Sequence, residues 1–438
     1  MAAGDARTDR HGAHPWAAFL IPRPDFLGGH RLQLLRGGDA LFPAMVAAID
    51  AAHTEVWLAS YIFHDDASAA AVAEALLRAA ARGVAVRVVV DGFGSHHSGT
   101  ALLQRLTDGG VALAVFRPLQ RWGQWLQPGQ LRRLHMKLCV VDARIGFIGG
   151  VNLIDDRIDL NHGPTDQPRF DFAVQAVGPV VLAMTQAVRA MWSRAWLGHD
   201  WRAQALALLR TGQPLRELRA LWRQWRMPRP LQAVGHDAQA IAAMAPMVAA
   251  LVVRDNLRQR RTIERAHIDA MQRARQRIWL ITPYFYPGSD FRHALREAAA
   301  RGVEVRLILQ GKVDYRLAAL AARVLYAELL DHGVHIHEYM PAFLHAKAML
   351  VDEHWATVGS SNIDPLSLLL NLEANLIVQD AGFSRALAAE IGVALAQARE
   401  VPALSMRGEF GATRFARRAA VAWCAHVYLR LAGVSGRY

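Results

Sequence analysis

The sequence predicts an α/β protein built from two copies of one domain, on three observations. A string recurs: AAARGVAVRVVV, ending at Val90, returns as AAARGVEVRLIL, ending at Leu309, which puts Arg82 and Arg301 219 residues apart. Matching strings flank it in both places, EVWLASYIF (55–63) with RIWLITPYF (277–285) before it and LHMKLCVVD (134–142) with LHAKAMLVD (344–352) after it. Ala/Leu/Arg-rich helical stretches alternate with short Val/Ile/Leu runs, the pattern of βα units around a largely parallel sheet. So long a period excludes a solenoid and reads as a duplicated domain.

In chain order, 30–199 is expected to hold the first copy and 261–400 the second. Between them, 200–260 is rich in Arg and Trp and is interrupted by Pro214, Pro228 and Pro230, which reads as a linker or insertion with short helices. The tail, 401–438, carries ATRFARRAAVAWCAHVYLRLAG, a basic amphipathic helix. With 438 residues, 53% apolar and 20% charged, the chain can fill two or three domain cores, and disorder is excluded. The two cysteines, Cys139 and Cys424, exclude a disulfide scaffold and a four-cysteine zinc module. The longest apolar run, Ala240–Val253, is 14 residues with Pro246 inside it, short of the roughly 20 that span a bilayer. The apolar stretch Trp16–Ile21 is too short for a signal sequence. The expectation is a soluble or peripheral protein whose net charge of +12 suits nucleic acid or an anionic membrane.

The chemistry lies in two strings with identical internal spacing. His135, Lys137 and Asp142 are followed by Gly149, Gly150 and Asn152; His345, Lys347 and Asp352 by Gly359, Ser360 and Asn362. On a strand, residues two apart share a face, so His135 and Lys137 point one way while Leu134, Met136 and Leu138 point into the core. Asp142 falls an odd number of residues further, near the strand end. The Gly-Gly or Gly-Ser step after the next strand would let backbone N–H groups approach an oxyanion, and the Asn adds a neutral donor. An imidazole, an ammonium, an amide and free N–H groups can bind a phosphate and attack it. Chance supplies about 0.01 copies of H-x-K-x4-D in a chain of this composition. Lysine usage sharpens the signal: of 50 cationic residues only Lys137, Lys312 and Lys347 are lysines, and two occupy the same motif position. A compact ammonium suits a single phosphate oxygen better than the planar fork of Arg.

These paired H-x-K-x4-D-x6-G-[GS]-x-N strings resemble the phospholipase D superfamily, and HAKAMLVDEHWATVGSSNIDPLSLLLNLEANLIVQD resembles bacterial cardiolipin synthases of the shorter type B. The likeness covers about 35–400. It implies phospholipase D-type α/β/α sandwich domains packed as an intrachain pseudo-dimer, with both His-Lys pairs at one interfacial site. It implies His135 as nucleophile and His345 as acid and base, with Lys137, Lys347, Asn152, Gly150, Asn362 and Ser360 on the phosphate. Asp142 and Asp352 belong to the same catalytic motif and would brace the fold around the site. Asp171 and Glu373 would orient the histidines, although the first copy reads Arg169-Phe170-Asp171 where the second reads Asn371-Leu372-Glu373. No metal and no other cofactor is implied. The implied reaction passes a phosphatidyl group from one phosphatidylglycerol to another, with phosphatidylethanolamine as a second partner to test. The setting would be peripheral, on the cytoplasmic face of a bacterial membrane.

The alternative on the same fold is a phosphodiesterase or nuclease; nucleic acid is disfavoured because no aromatic-interleaved channel for a single strand is evident. A CDP-alcohol phosphotransferase lacks its D-G-x2-A-R string here, and Gly311-Lys312 lacks the rest of a P-loop. The Trp/Arg stretches (Arg121-Trp122, Trp125, Arg132-Arg133; Arg219, Trp222-Arg223, Trp225-Arg226) and the tail around Arg414, Arg417, Arg418 and Trp423 divide evenly between membrane anchors and ordinary packing. His332, His335 and His337 read as surface residues, Cys139 as a small buried hydrophobe, and Tyr284-Phe285 as either core or site lining.

Overall fold

The computed structural model describes residues 24–96, 99–118, 132–210, 247–254, 261–312, 325–364 and 371–402. The first copy runs β1 (Leu27–Arg36), α1 (Gly37–Asp50), β2 (Glu55–Ser60), α2 (Ala67–Ala81), β3 (Ala85–Asp91), α3 (Gly99–Asp108), β4 (Ala112–Phe116), β5 (Lys137–Val141) and β6 (Ile145–Gly149). A small hairpin of β7 (Ile158–Asp159) and β8 (Gly163–Pro164) follows, then β9 (Phe172–Val177) and α4 (Val180–Arg210). The second copy opens with β10 (Met247–Arg254), α5 (Thr262–Arg273), β11 (Arg277–Thr282), α6 (Ser289–Ala300), β12 (Glu304–Gln310) and β13 (His335–Tyr339). It continues with β14 (Ala348–Val351), β15 (Trp355–Gly359), β16 (Glu373–Gln379), α7 (Ala381–Gln397) and a short β17 (Ala398–Glu400).

The string that betrays the duplication has a local job. The Ala-rich α2 is started by Asp66, whose carboxylate accepts from the Ala69 N–H at 2.9 Å. The helices α2 and α6 stop at Gly83 and Gly302, with φ of 84° and 86°, a conformation open to glycine at little cost. The arginine just before each glycine reaches back to the preceding helix: Arg82 Nη2 donates to Ile49 O and Arg301 Nη2 to Met271 O, both at 2.9 Å. Each A-R-G-V is thus a helix stop and a clamp on a neighbouring helix end.

Strand order runs β17-β13-β12-β11-β14-β15-β16-β10-β1-β9-β6-β5-β2-β3-β4, the same seven-strand run in each copy, read outward from the seam where β1 pairs antiparallel with β10. The expectation of a largely parallel sheet needs correction. Only β2-β3-β4 and β11-β12-β13 are parallel; the motif strands and their neighbours are antiparallel. The cause is the short connection between β5 and β6, too brief for a crossover helix, with Asp142 and Ala143 at φ 51° and 54° and Asp352 at 53° in the matching turn. A second correction concerns the linker. Residues 247–254 are β10, paired with β16 from Val248 opposite Gln379 to Arg254 opposite Glu373. A strand at the centre of a sheet, covered on both faces, carries a continuous apolar run rather than alternation. The helix α4 also runs past 199, to Arg210. The remainder of the linker and the tail beyond residue 402, with their Trp/Arg groups, lie outside the described residues, as do Arg121, Trp122 and Trp125.

Each sheet has helices on both faces. One core is shared: Leu138, Ile148 and Val174 of the first copy pack with Leu350, Val358 and Leu376 of the second, closed by α4 through Met184 and Val188 and by α7 through Leu387 and Ile391. Separate cores lie under α1–α3 (Leu41, Val72, Leu76, Leu102) and under α5 and α6 (Met271, Phe291, Leu295).

Asp142 and Asp352 serve this framework. The Asp142 carboxylate accepts from the N–H groups of His53, Thr54 and Glu55 at 2.8–2.9 Å and from the Thr54 hydroxyl at 2.7 Å. Asp352 accepts from Arg275, Gln276 and Arg277 at 2.8–3.0 Å. Both pin the corner where a helix turns into β2 or β11. Each lies seven positions beyond its histidine, past the whole of β5 or β14, roughly 20 Å at about 3.3 Å per residue. Their place in the catalytic motif is therefore that of a brace and not of a group at the reacting atoms. Asp352→Ala should lower stability by about 1–3 kcal/mol in urea unfolding; an unchanged midpoint would contradict this role.

Candidate active site

The motif strands β5 and β14 are each the fourth strand out from the β1–β10 pairing, yet the residues that lead into each are stitched to the other copy. His135 N–H donates to Leu372 O at 3.0 Å and Leu372 N–H to Arg133 O at 2.8 Å. In the matching place, Phe170 N–H donates to Phe343 O at 2.9 Å and His345 N–H to Phe170 O at 2.8 Å. Glu373 follows Leu372 and Asp171 follows Phe170, so each acid is delivered to the histidine of the opposite copy. His135 Nδ1 lies 2.9 and 3.0 Å from the two Glu373 carboxylate oxygens, and His345 Nδ1 lies 2.6 Å from Asp171 Oδ2. With Nδ1 so engaged, each ring turns Nε2 the other way.

Gly150 and Ser360, expected to offer backbone N–H groups to a phosphate, are corrected by the geometry. Their N–H groups are taken by the sheet, Gly150 donating to Phe172 O at 2.9 Å and Ser360 to Ala374 O at 3.0 Å. Their work is on the acids. A Cβ at Gly150 would stand 2.3 Å from Asp171 Oδ1, so only glycine admits that carboxylate. Ser360 Oγ donates to Glu373 Oε2 at 2.5 Å. Asn152 and Asn362 are both buried, each 5% exposed.

The lysines fold back on their own strands, Lys137 Nζ donating to His135 O at 2.7 Å and Lys347 Nζ to His345 O. Burial drives both ammonium groups down, Lys137 to about 8 and Lys347 to about 7. Burial also lowers His135, against the upward pull of Glu373. His345 falls well below its ordinary value through burial, then through Lys347, Lys137 and Arg169. The acids diverge. Burial pushes Asp171 up to about 7 in spite of Lys347. Burial also pushes on Glu373, but His135, Lys137 and the Ser360 hydroxyl outweigh it and leave Glu373 below its ordinary value.

Further residues belong to the site's support. Tyr61 meets the His135 ring in a T-shaped contact, centroids 5.0 Å apart, with Lys137 Nζ 5.4 Å from the centre of the Tyr61 ring. Asp91, buried and pushed up to about 6 by that burial, accepts from the Leu134 N–H at 2.8 Å. Gln310 does the same for Leu344 at 2.6 Å. The 219-residue offset links Asp91 to Gln310, so extending the repeat by one residue would have found them. Cys139 is buried, its thiol pushed up to about 12 by burial. Phe285 is core, packed under α6. His335 pairs with Glu400 at the sheet edge. Among the described residues no three His, Cys, Asp or Glu are grouped to hold a metal ion.

Comparison with known proteins fits this geometry. A family described as cardiolipin synthase, PLD-like domain, matches residues 45–163 and 267–393. Cardiolipin synthase B of Salmonella typhi is 37% identical over 360 residues, covering 82% of this chain and 79% of that protein. Its counterpart in Escherichia coli (strain K12) is 36% identical with the same coverage. Cardiolipin synthase A of Pseudomonas putida (strain KT2440) is 32% identical, covering 87% of this chain and 72% of that protein. The crystal structure of phosphatidylserine synthase from Haemophilus influenzae has the same fold, with a TM-score of 0.59 over 93% of this chain and 98% of that one at 12% identity.

An anion at the lysines favours their charged forms, so it binds well below their free values and poorly above them. Competitive inhibition by inorganic phosphate should weaken as pH rises from 6.5 to 9. A flat profile would remove the lysines from anion binding.

Proposed function

The chain belongs to the family of cardiolipin synthases with phospholipase D-like domains, and from that premise we propose that it transfers a phosphatidyl group from one phosphatidylglycerol to another, releasing glycerol and forming cardiolipin. The observation that carries the reading is the meeting of two His-Lys pairs at one seam, each imidazole held by an acid from the other copy. One histidine can then act as nucleophile while the other handles protons.

In this reading His135 is the nucleophile. Its Nδ1–H donates to Glu373, which is held in the ionised range and so favours the imidazole lone pair at Nε2. Nε2 attacks phosphorus, a P–N bond forms and the bond to the glycerol oxygen breaks. The leaving oxygen takes a proton from His345, whose partner Asp171 holds a proton near neutrality and feeds that side of the site. Lys137 and Lys347 bind the non-bridging oxygens, and the arriving anion raises both lysines and His345 again. In the second half, His345 takes the proton of the incoming hydroxyl, its oxygen attacks phosphorus and the P–N bond breaks. Transfer outruns hydrolysis where the second alcohol is in place and water is kept out. The depth of the site supports this, with His135 9%, Lys137 6% and Lys347 2% exposed.

Among the described residues no helix is long and apolar enough to cross a membrane. A net charge of +12 favours an anionic lipid surface, and we place the protein peripherally on the cytoplasmic face of the bacterial membrane.

Purified protein given phosphatidylglycerol vesicles in EDTA should release cardiolipin and glycerol in equal amounts, and His135→Ala should abolish both. Phosphatidic acid as the main product would make the protein a hydrolase. No turnover, alone or with phosphatidylethanolamine, would overturn the lipid reading and direct attention to nucleic acids. A phosphohistidine trapped at His345 would reverse the two roles.

A further inference from the structure

Two of the chain's three lysines belong to the His-Lys pairs, and the third stands beside them. Lys312 follows β12, where Gln310 holds the entrance to His345; its Nζ donates to Pro341 O at 3.0 Å and lies 6.0 Å from the ring centroid of Phe343. Phe343 is two residues before His345, and its ring also meets His162 of the β7–β8 hairpin, centroids 5.1 Å apart. Asp159 on that hairpin accepts from His162 Nδ1 at 2.9 Å and from Arg169 Nη2 at 3.4 Å; Arg169 Nη2 also donates to Ile158 O at 3.0 Å. Arg169 lies close enough to depress both His345 and Lys347.

Matched positions in the two copies show what is special here. In the first copy Arg133 lies over the Phe93 ring at 5.2 Å, and Asp91 stands 3.8 Å from its guanidinium. In the second copy cation and ring exchange places, Lys312 standing where Phe93 does and Phe343 where Arg133 does, while the acid is replaced by neutral Gln310. Lys312 is exposed and, among the described residues, pairs with no carboxylate. Arg169 likewise stands where the second copy has Asn371. The His135 side balances its cation with Asp91; on the His345 side Arg169 faces Asp159 and lies within electrostatic reach of Asp155 and Asp156, while Lys312 has no matching acid beside it among the described residues.

We propose that Lys312 and Arg169 form a second anion subsite that holds the phosphodiester of the acceptor lipid, an inference that rests on the transfer reading above. In phosphatidylglycerol the attacking hydroxyl and the phosphate sit at opposite ends of a three-carbon glycerol. When that hydroxyl gives its proton to His345 and its oxygen replaces Nε2 of His135 on phosphorus, the acceptor's own phosphate lies just beyond His345, outside the reach of the Lys137–Lys347 pair. Lys312 brings its charge to the Phe343 ring directly, and Arg169, tied to that ring through Asp159 and His162, brings its charge to His345.

Labelled glycerol provides the control, because its exchange into phosphatidylglycerol uses the same phosphoenzyme with an acceptor that has no phosphate. With phosphatidylglycerol vesicles and labelled glycerol together, Lys312→Ala should lower the ratio of cardiolipin formed to glycerol exchanged about tenfold. Lys312→Glu should lower it further, and Lys312→Arg should largely restore it. A ratio that does not move, or cardiolipin and exchange falling in parallel in all three variants, would overturn the subsite. Wild-type protein that makes neither product would overturn the transfer reading itself.

Discussion

Two carboxylate–imidazole bonds across the seam hold the active site together. His135 takes its orientation from Glu373 and His345 from Asp171, and neither copy contains the acid its own histidine needs. The rest of the architecture follows from keeping those bonds short. The β1–β10 pairing joins the copies, the bridges at Leu134–Leu372 and Phe170–Leu344 set the acids beside the histidines, and the shared core keeps the sheets from sliding. Buried bonds between ionisable groups are costly to break on one side only, which makes the seam intolerant of separation.

Within a near-symmetric frame, the two halves of the site differ in charge. Glu373 receives a hydroxyl from Ser360, whereas Asp171 has the bare backbone of Gly150 beside it and accepts only a backbone N–H, that of Phe172 at 2.8 Å, besides His345. The strand-entrance acceptor is an acid in one copy and an amide in the other, Asp91 against Gln310. Acid and base chemistry ask for two histidines in different protonation states, and identical surroundings would deny them that. Duplication supplied the geometry, and divergence of a few neighbours supplied the difference.

Much of this was legible in the residues. The repeated A-R-G-V strings and the paired H-x-K-x4-D motifs pointed to two α/β copies and to the chemistry-bearing side chains, because local spacing determines which strand residues share a face. What eluded reading depended on contacts distant in sequence. The exchange of acids between copies has no local signature. The N–H groups of Gly150 and Ser360 looked free because their partners, Phe172 and Ala374, lie on neighbouring strands. The strand β10 hid in a stretch read as linker, since an apolar run broken by Pro246 has no alternation to mark it. The sheet looked parallel because Ala-rich helices dominate the outer strands, while the inner ones turn through tight connections that composition does not weigh.

The separation of partners along the chain has a bearing on synthesis. His135 and its acid are 238 residues apart, and His345 and its acid 174. A chain emerging from the ribosome presents His135 long before Glu373 has been translated, and the half of the shared core that the second copy supplies also comes later. The first carboxylate–imidazole pair therefore closes only when β16 of the second copy is in place, so a translation product that stalls before Glu373 keeps a His135 with nothing to orient it.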